Sequence, residues 1–400
     1  MSSFAQTSNN LTGSPYSLFG LGVNTNSSIG KNSALGRGGY AFNDDDFINN
    51  LNPASYGTEE RNSFIFDFGF LAEVSGVNST DSDENRVAGN FSSLAIASNI
   101  DNKSSFGLSV TPFTDVGYSL IGIQSNIEGS FEEFTSNIFG SGALNDLRLS
   151  YGRTIAKNFR LGGNISYLFG TIDETEQVAA GLSSLTIEES NRYRGLRFGV
   201  GFQYDYKEIL QLGVSTNLPT SLSGRRDRVV ERTLDFIPSE VESESDIRLD
   251  DFELPLELNS GLVLRPWNNL WINIDHSVRL WQQTGQSDNV GDFVDQNVFS
   301  LGGEYYVNKN GFKYWEQIQF RAGLYYDTGY LKVNDERINS YGITAGLGIP
   351  LGLRSKSMLN ISFANTTRGA TQGVLVEENI NSINVNLTLK DFWFIKRKIN

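Results

Sequence analysis

The only histidine of the chain, His276, shares its parity with Leu270, Ile272, Ile274, Val278 and Leu280, so a strand there turns it toward an apolar surrounding and away from an enclosed site. No Ser-His arrangement can be built around a histidine so placed, and the sequence predicts no catalytic residue and no enzyme. With Cys 0, thiol chemistry, disulfides and Cys/His metal sites are absent together. The acidic run Asp44-Asp45-Asp46 lacks the spaced oxygen ligands of a calcium loop; a solvated or arginine-paired cluster is expected, with no metal and no cofactor. The remaining charge chemistry lies in Arg148, Arg197, Arg279 and Arg321. They share a face with Asp67, Asp205, Asp275, Glu304 and Asp327, so they could hold a carboxylate, although ion pairing is their default.

Strands must position these groups. Fourteen candidates run over approximately 61–75, 87–100, 104–124, 143–156, 159–173, 189–206, 209–222, 252–266, 269–282, 296–307, 316–328, 339–350, 357–367 and 380–392. A tilted strand crosses a bilayer in about 9–11 residues, which each segment supplies. Phe64, Phe66, Phe68 and Phe70 alternate with Ile65, Asp67, Gly69 and Leu71, and Leu196, Phe198, Val200, Phe202 and Tyr204 alternate with Arg197, Gly199, Gly201, Gln203 and Asp205. One greasy face and one small or charged face imply lipid outside and water inside. The last segment runs from Ile383 to Lys390 into Phe392-Trp393-Phe394, an aromatic belt at a strand end. Gly 41, Phe 27 and Tyr 16 against Pro 8 suit long strands and tight turns, and no apolar run approaches the roughly 18 residues of a spanning helix.

Short links such as 101–103, 157–158, 207–208, 266–268 and 353–356 alternate with longer polar ones around 76–86, 126–142, 174–188, 223–251, 283–295, 329–338 and 368–379. That asymmetry predicts an outer-membrane barrel of Gram-negative type, with short turns and both termini periplasmic. The 223–251 stretch is expected as a solvated loop, with a partner-docking loop as the competing idea. A net charge of −14 argues against nucleic acid as a partner. Ser-Phe-Ala-Gln at positions 3–6 has the form of a signal-peptide end, so a longer exported precursor is expected.

Residues 7–60 break the strand pattern but carry apolar clusters, which predicts a segment folded back into a bore too wide for wall side chains to fill. The expected division is 1–60 as this lumenal hatch and 61–400 as the barrel. Here Gly36-Arg37-Gly38-Gly39, then Asp44-Asp45-Asp46, then Asn52-Pro53-Ala54 resemble, in that order, the hatch of the FadL/TodX long-chain fatty-acid transporter family. Ser14-Pro15-Tyr16, the stretch from Phe299 to Tyr305, the stretch from Arg321 to Tyr326 and the closing Phe392 to Lys398 look like its Bacteroidetes-type branch.

That resemblance implies an all-β, 14-stranded antiparallel transmembrane barrel with the hatch inside its lumen, a porin-like channel admitting hydrophobic molecules such as fatty acids. It further implies a third-strand kink giving lateral exit into the bilayer. Pro112, flanked by Gly107 and Gly117, permits such a break because proline donates no ladder hydrogen bond; a simple strand end is an equal reading. Leu18, Phe19, Leu21, Tyr40 and Phe42 are the hatch side chains expected against a ligand pocket. Asn52 anchors the turn through Pro53 and Ala54, since an Asn side chain bonds its own backbone two residues on. The expected partners are the lipid bilayer and hydrophobic small molecules. A second reading stays open: a non-transporting accessory barrel that binds other outer-membrane or secretion-system proteins, favoured by a lumen without an unbroken apolar stripe.

Overall fold

The computed structural model describes residues 12–58, 63–78, 83–126, 133–181, 183–207, 209–235, 237–287, 291–353, 355–371 and 375–392. Trp393, Phe394, the basic run 396–398 and the signal-like residues 3–6 lie outside them.

Fourteen antiparallel strands close into a barrel. They are β1 (Ser63–Asn78), β2 (Asp83–Asn99), β3 (Ser104–Asn126), β4 (Glu133–Ala156), β5 (Phe159–Ala180), β6 (Ser183–Tyr206), β7 (Leu210–Asn217), β8 (Glu257–Trp267), β9 (Leu270–Arg279), β10 (Gln296–Tyr306), β11 (Gln319–Asp327), β12 (Ser340–Pro350), β13 (Met358–Gly369) and β14 (Glu377–Phe392). β1 and β14 complete the ring, in register from Ser63 opposite Phe392 to Asn78 opposite Glu377. Four further strands join the same sheet: Val23–Asn24, Thr220–Leu234, Ile237–Arg248 and Phe252–Leu254.

The parity read in the sequence decides which way each side chain faces. On β6, Leu196, Phe198 and Val200 are about half exposed on the outside, whereas Arg197 and Gln203 are buried toward the bore. Phe68 and Phe70 on β1 and Ile343 on β12 extend this outer apolar band. With water outside, that surface would cost roughly 25 cal/mol per Å²; against hydrocarbon it costs nothing.

Several segments predicted as long loops are strand instead. β4 already begins at Glu133, β5 continues to Ala180, β6 starts at Ser183, and much of 223–251 is a hairpin of Thr220–Leu234 with Ile237–Arg248. Past the bilayer both strand faces meet water, so the apolar alternation fades while the ladder continues. Cross-strand ion pairs hold the extension, with Arg226 at 3.2 Å and Arg228 at 3.3 Å from Glu189. The predicted strand 209–222 is interrupted at Leu218-Pro219, where proline has no N–H to donate.

Residues 12–58 thread the bore with no element longer than a few residues of 3-10 helix. Their backbone groups are met by inward side chains from around the wall. The Asp275 carboxylate accepts from the Gly39 and Tyr40 N–H groups at 2.9 and 3.0 Å. Gln203 donates to the Tyr40 and Phe42 carbonyls at 3.1 Å each, and Thr344 to the Ala34 carbonyl at 2.9 Å. A segment without its own secondary structure must find such partners to be buried.

Candidate functional site

The filled bore has three layers. At the long-connection end, Leu21 and Tyr16 of the N-terminal segment sit in an apolar collar with Leu144, Leu168, Leu222, Trp281, Phe293 and Leu331. Trp281 stacks on Tyr330 at 5.1 Å between centroids, and Phe252 and Phe293 pack around it. Phe19 packs against the collar, while Leu18 is 36% exposed.

The middle layer is polar and holds chambers of about 100, 50 and 110 Å³ around residues 23–27. Each predicted lumen arginine has a carboxylate partner here or nearby: Arg148 with Asp146 at 2.6 Å, Arg197 with Glu257 at 3.4 Å, Arg279 with Glu257 at 3.0 Å, and Arg321 with Glu304 at 2.7 Å. Tyr40 reaches this layer, where its hydroxyl accepts from Ser277 at 3.0 Å. Burial first, and Glu257 second, push its phenol up to about 12.

At the short-turn end the acidic run is paired with lysines, and the expected arginine partners are not the ones used. Asp44 meets Lys31 at 3.5 Å; Asp45 meets Lys356 at 3.4 Å and Lys390 at 3.2 Å; Asp46 meets Lys309 at 3.0 Å. Burial alone would raise the Asp44 carboxyl, but Lys31 and Lys309 overcome it and hold it well below the usual carboxylate range. Just inside, Phe42 joins Leu35, Ala41, Phe47 and Val263, with the Lys31 ammonium 4.8 Å from its ring centroid. The five predicted pocket residues are therefore spread over separate layers. Asn52 is fully buried. It donates to the carbonyls of Tyr40 at 3.0 Å, Phe202 at 3.2 Å and Val214 at 3.3 Å, and accepts from the Ala54 N–H at 3.0 Å. The Pro53 carbonyl and Ala54 nitrogen press on the bare Gly162 of β5, where a Cβ would come within 2.3 and 2.5 Å of them.

The wall is discontinuous at one place. The β2–β3 ladder runs from Asn99 opposite Ser105 to Leu94 opposite Val110 and stops there, two residues before Pro112. The rest of β3 pairs with β4 on one side, through a register shift at Pro112 to Thr114, and faces the N-terminal segment on the other. Val23 lies opposite Asp115 and Asn24 opposite Thr114 as a two-residue strand. Thr25 donates from Oγ1 to the Pro112 carbonyl at 2.6 Å and from N–H to the Phe113 carbonyl at 3.1 Å. The Gly117 N–H donates to Ser17 Oγ at 3.0 Å, and Arg86 of β2 donates to the carbonyls of Gly13 and Ser119. Gly22 adopts φ +93°, and a Cβ there would meet the Asp115 carbonyl at 2.5 Å, so only glycine passes this point. Gly107 lies below the seam, still within the paired ladder, against the Tyr56 ring.

His276 points outward, stacked on Phe299 at 4.5 Å between centroids. The first described residues, Thr12 to Leu21, sit at the long-connection end, opposite Ser63 and Phe392. Sequence reasoning missed the ion-paired lysines 309, 356 and 390 because their segments carry no motif, and only their proximity to the acidic run in space identifies them.

A family model described as BamG matches residues 1–400. Among solved structures, the CymD monoaromatic hydrocarbon channel is 14% identical with a TM-score of 0.65, covering 92% of this chain and 99% of that one. The Pseudomonas putida toluene transporter TodX is 14% identical with a TM-score of 0.64, covering 93% and 100%. A Pseudomonas aeruginosa FadL homologue is 13% identical with a TM-score of 0.59, covering 92% and 98%. No curated protein matches. The solved structures establish a shared barrel fold with the FadL/TodX proteins named by the sequence resemblance, whereas the matching family model carries another name.

Proposed function

The chain belongs to the BamG family, and on that premise we propose an outer-membrane barrel with its short turns toward the periplasm, acting as a gated channel for small hydrophobic compounds. Residues 12–58 serve as the hatch, and molecules leave through the seam between β2 and β3. The observation that carries this reading is the seam itself. A wall of antiparallel strands stays sealed as long as every ladder is complete, and here one ladder ends at Val110 and is finished by two hatch residues. A two-residue ladder and the bonds of Thr25 and Ser17 to β3 are a smaller barrier to displacement than unzipping a whole strand pair. The aromatic collar of Trp281, Phe293 and Tyr330 offers an apolar first contact at the outer end. Monoaromatic and toluene channels of the same fold support the substrate class, and motifs such as Ser14-Pro15-Tyr16 support placement in a Bacteroidetes-type branch.

The test uses the absence of native cysteine. Asn24→Cys with Thr114→Cys, which are register partners, staples the hatch strand to β3. In proteoliposomes the oxidised form should lose uptake of a fluorescent hydrophobic probe and regain it on reduction. Equal uptake in both states would remove the gating claim.

A second reading, an accessory barrel that binds partner proteins without transport, is favoured by two observations. The bore is occupied at three levels, by collar, polar layer and lysine–aspartate network. The hairpin strand Ile237–Arg248 also stands exposed along almost its whole length, with Ile237 71% and Val241 57% exposed. If the stapled protein passes no probe and still co-purifies with the same envelope proteins as the reduced form, hatch movement is dispensable for partner binding and this second reading holds.

A further inference from the structure

Arg37 stands apart from the other arginines of the bore. It is placed in the left-handed region at φ 63°, between Gly36 and Gly38, in a turn where glycine would be unstrained. A long β-unbranched side chain held there at a conformational cost points to a use for its head group. Its guanidinium carbon stands over the Tyr325 ring, 4.0 Å from the centroid, and no carboxylate comes within ion-pairing distance of it among the described residues. Stacking occupies the face of a guanidinium and leaves its edge, a planar fork of N–H donors, free.

That edge borders two of the three chambers, those of about 100 and 110 Å³, which also share Arg368 and Asn24. The Asn24 Nδ2 is buried and donates to no described protein atom. The neighbouring charges are otherwise accounted for. Arg368 is bonded to Glu378 at 3.3 Å and Asp327 accepts from Gln296 at 2.8 and 2.9 Å; Glu73 lines the larger chamber beyond ion-pair distance, where the charges of Arg37 and Arg368 act on its carboxylate. Apolar wall is supplied by Val23, Leu71 and Ala364 in one chamber and by Tyr330 and Ile338 in the other.

We infer that Arg37 and Asn24 form a binding site for the carboxylate of a small organic monoanion, with its apolar part lying against the chamber wall. The planar fork matches a carboxylate bidentately, the amide adds a third donor, and the volumes admit a ring or a short chain but no long acyl tail. Glu73 in the same chamber opposes negative charge, so a monoanion meets less repulsion there than a dianion. The site exists whether or not the barrel conducts.

The test uses the full chain in detergent with benzoate as probe, benzamide as its neutral isostere and methyl phosphate as a competing oxyanion, followed by calorimetry and saturation-transfer NMR. Benzoate should bind saturably, and at least tenfold more tightly than benzamide. Arg37→Gly, which relieves the left-handed strain, should fold with an unchanged or higher melting midpoint and bind benzoate at least tenfold more weakly. Arg37→Lys, which keeps the charge and loses the fork, should fall between. Wild-type affinity in Arg37→Gly, absence of saturable benzoate binding in the native chain, or displacement of benzoate by methyl phosphate at equal or lower concentration would each overturn the assignment. Uptake of an uncharged probe is a separate measurement and bears only on the channel reading.

Discussion

Replacing Asn52 by alanine should loosen the lumenal segment without unfolding the barrel. The side chain makes contacts from one buried amide to three carbonyls on three different stretches of chain, Tyr40, Phe202 and Val214, and closes its own turn through the Ala54 N–H. An amide NH₂ has two hydrogens, so the net loss is two donated bonds and one accepted bond. At roughly 1 kcal/mol each, the closed position loses about 3 kcal/mol. Since about 1.4 kcal/mol is a factor of ten, the open population should rise about a hundredfold. The assay is thiol labelling. Ser33 is 9% exposed and serine to cysteine is nearly isosteric, so Ser33→Cys is a single buried reporter in a cysteine-free chain. Its reaction with a charged maleimide should be slow in the parent and about a hundredfold faster with Asn52→Ala. Acceleration below about threefold would mean that the segment is held collectively and that the bond count is the wrong way to reason about it.

Further outcomes follow from the same layers. Lys390 has no exposed side-chain surface and pairs with Asp45 and Asp46, so Lys390→Ala removes a buried cation and leaves Asp45 to Lys356 and Asp46 to Lys309 and Lys356; amide hydrogen exchange over residues 42–50 should quicken at least tenfold. Gly213→Val places a Cβ where the Tyr40 carbonyl stands 2.3 Å away, and limited proteolysis should then cut within residues 36–46, which the native barrel protects. At the lysine–aspartate layer the pH dependence is set by two shifted groups. Asp44 is held low, so its contribution is complete above the usual carboxylate value and is lost only as pH falls through its depressed one. Lys309 is held high, chiefly by Asp44, so its contribution is complete below the usual lysine value and is lost only as pH rises through its elevated one. Hydrogen exchange over residues 44–46, corrected for its intrinsic pH dependence, should accordingly keep its protection from about pH 5 to about pH 10.

How far the sequence carried depended on whether one residue's environment repeats. Leu196 to Tyr204 declare their two faces because a bilayer imposes the same solvent on every second side chain, and their strand stands as read. Ser223 to Arg248 do not, because water surrounds both faces, so ladder bonds between Arg, Glu and Ser residues leave no periodic mark; they read as loop and lie in a hairpin. The N-terminal motifs placed Asn52 in its turn, which is local chemistry. The partners of that segment were not legible, since Asp275, Gln203 and Thr344 reach it from places 150 or more residues away. For the same reason Arg37 passed as part of a glycine-rich turn: its free edge is visible only once Arg148, Arg197, Arg279 and Arg321 are seen to be neutralised.

The wall ring is joined by its first and last strands, and the residues that thread it are tethered directly ahead of the first. Because the ligands of the threaded backbone include Thr344 and Lys390, which leave the ribosome near the end of synthesis, the interior must order late and from contacts of the greatest sequence separation. The final zippering of Ser63 to Phe392 and the ordering of the interior thus both wait for the last strands of the chain.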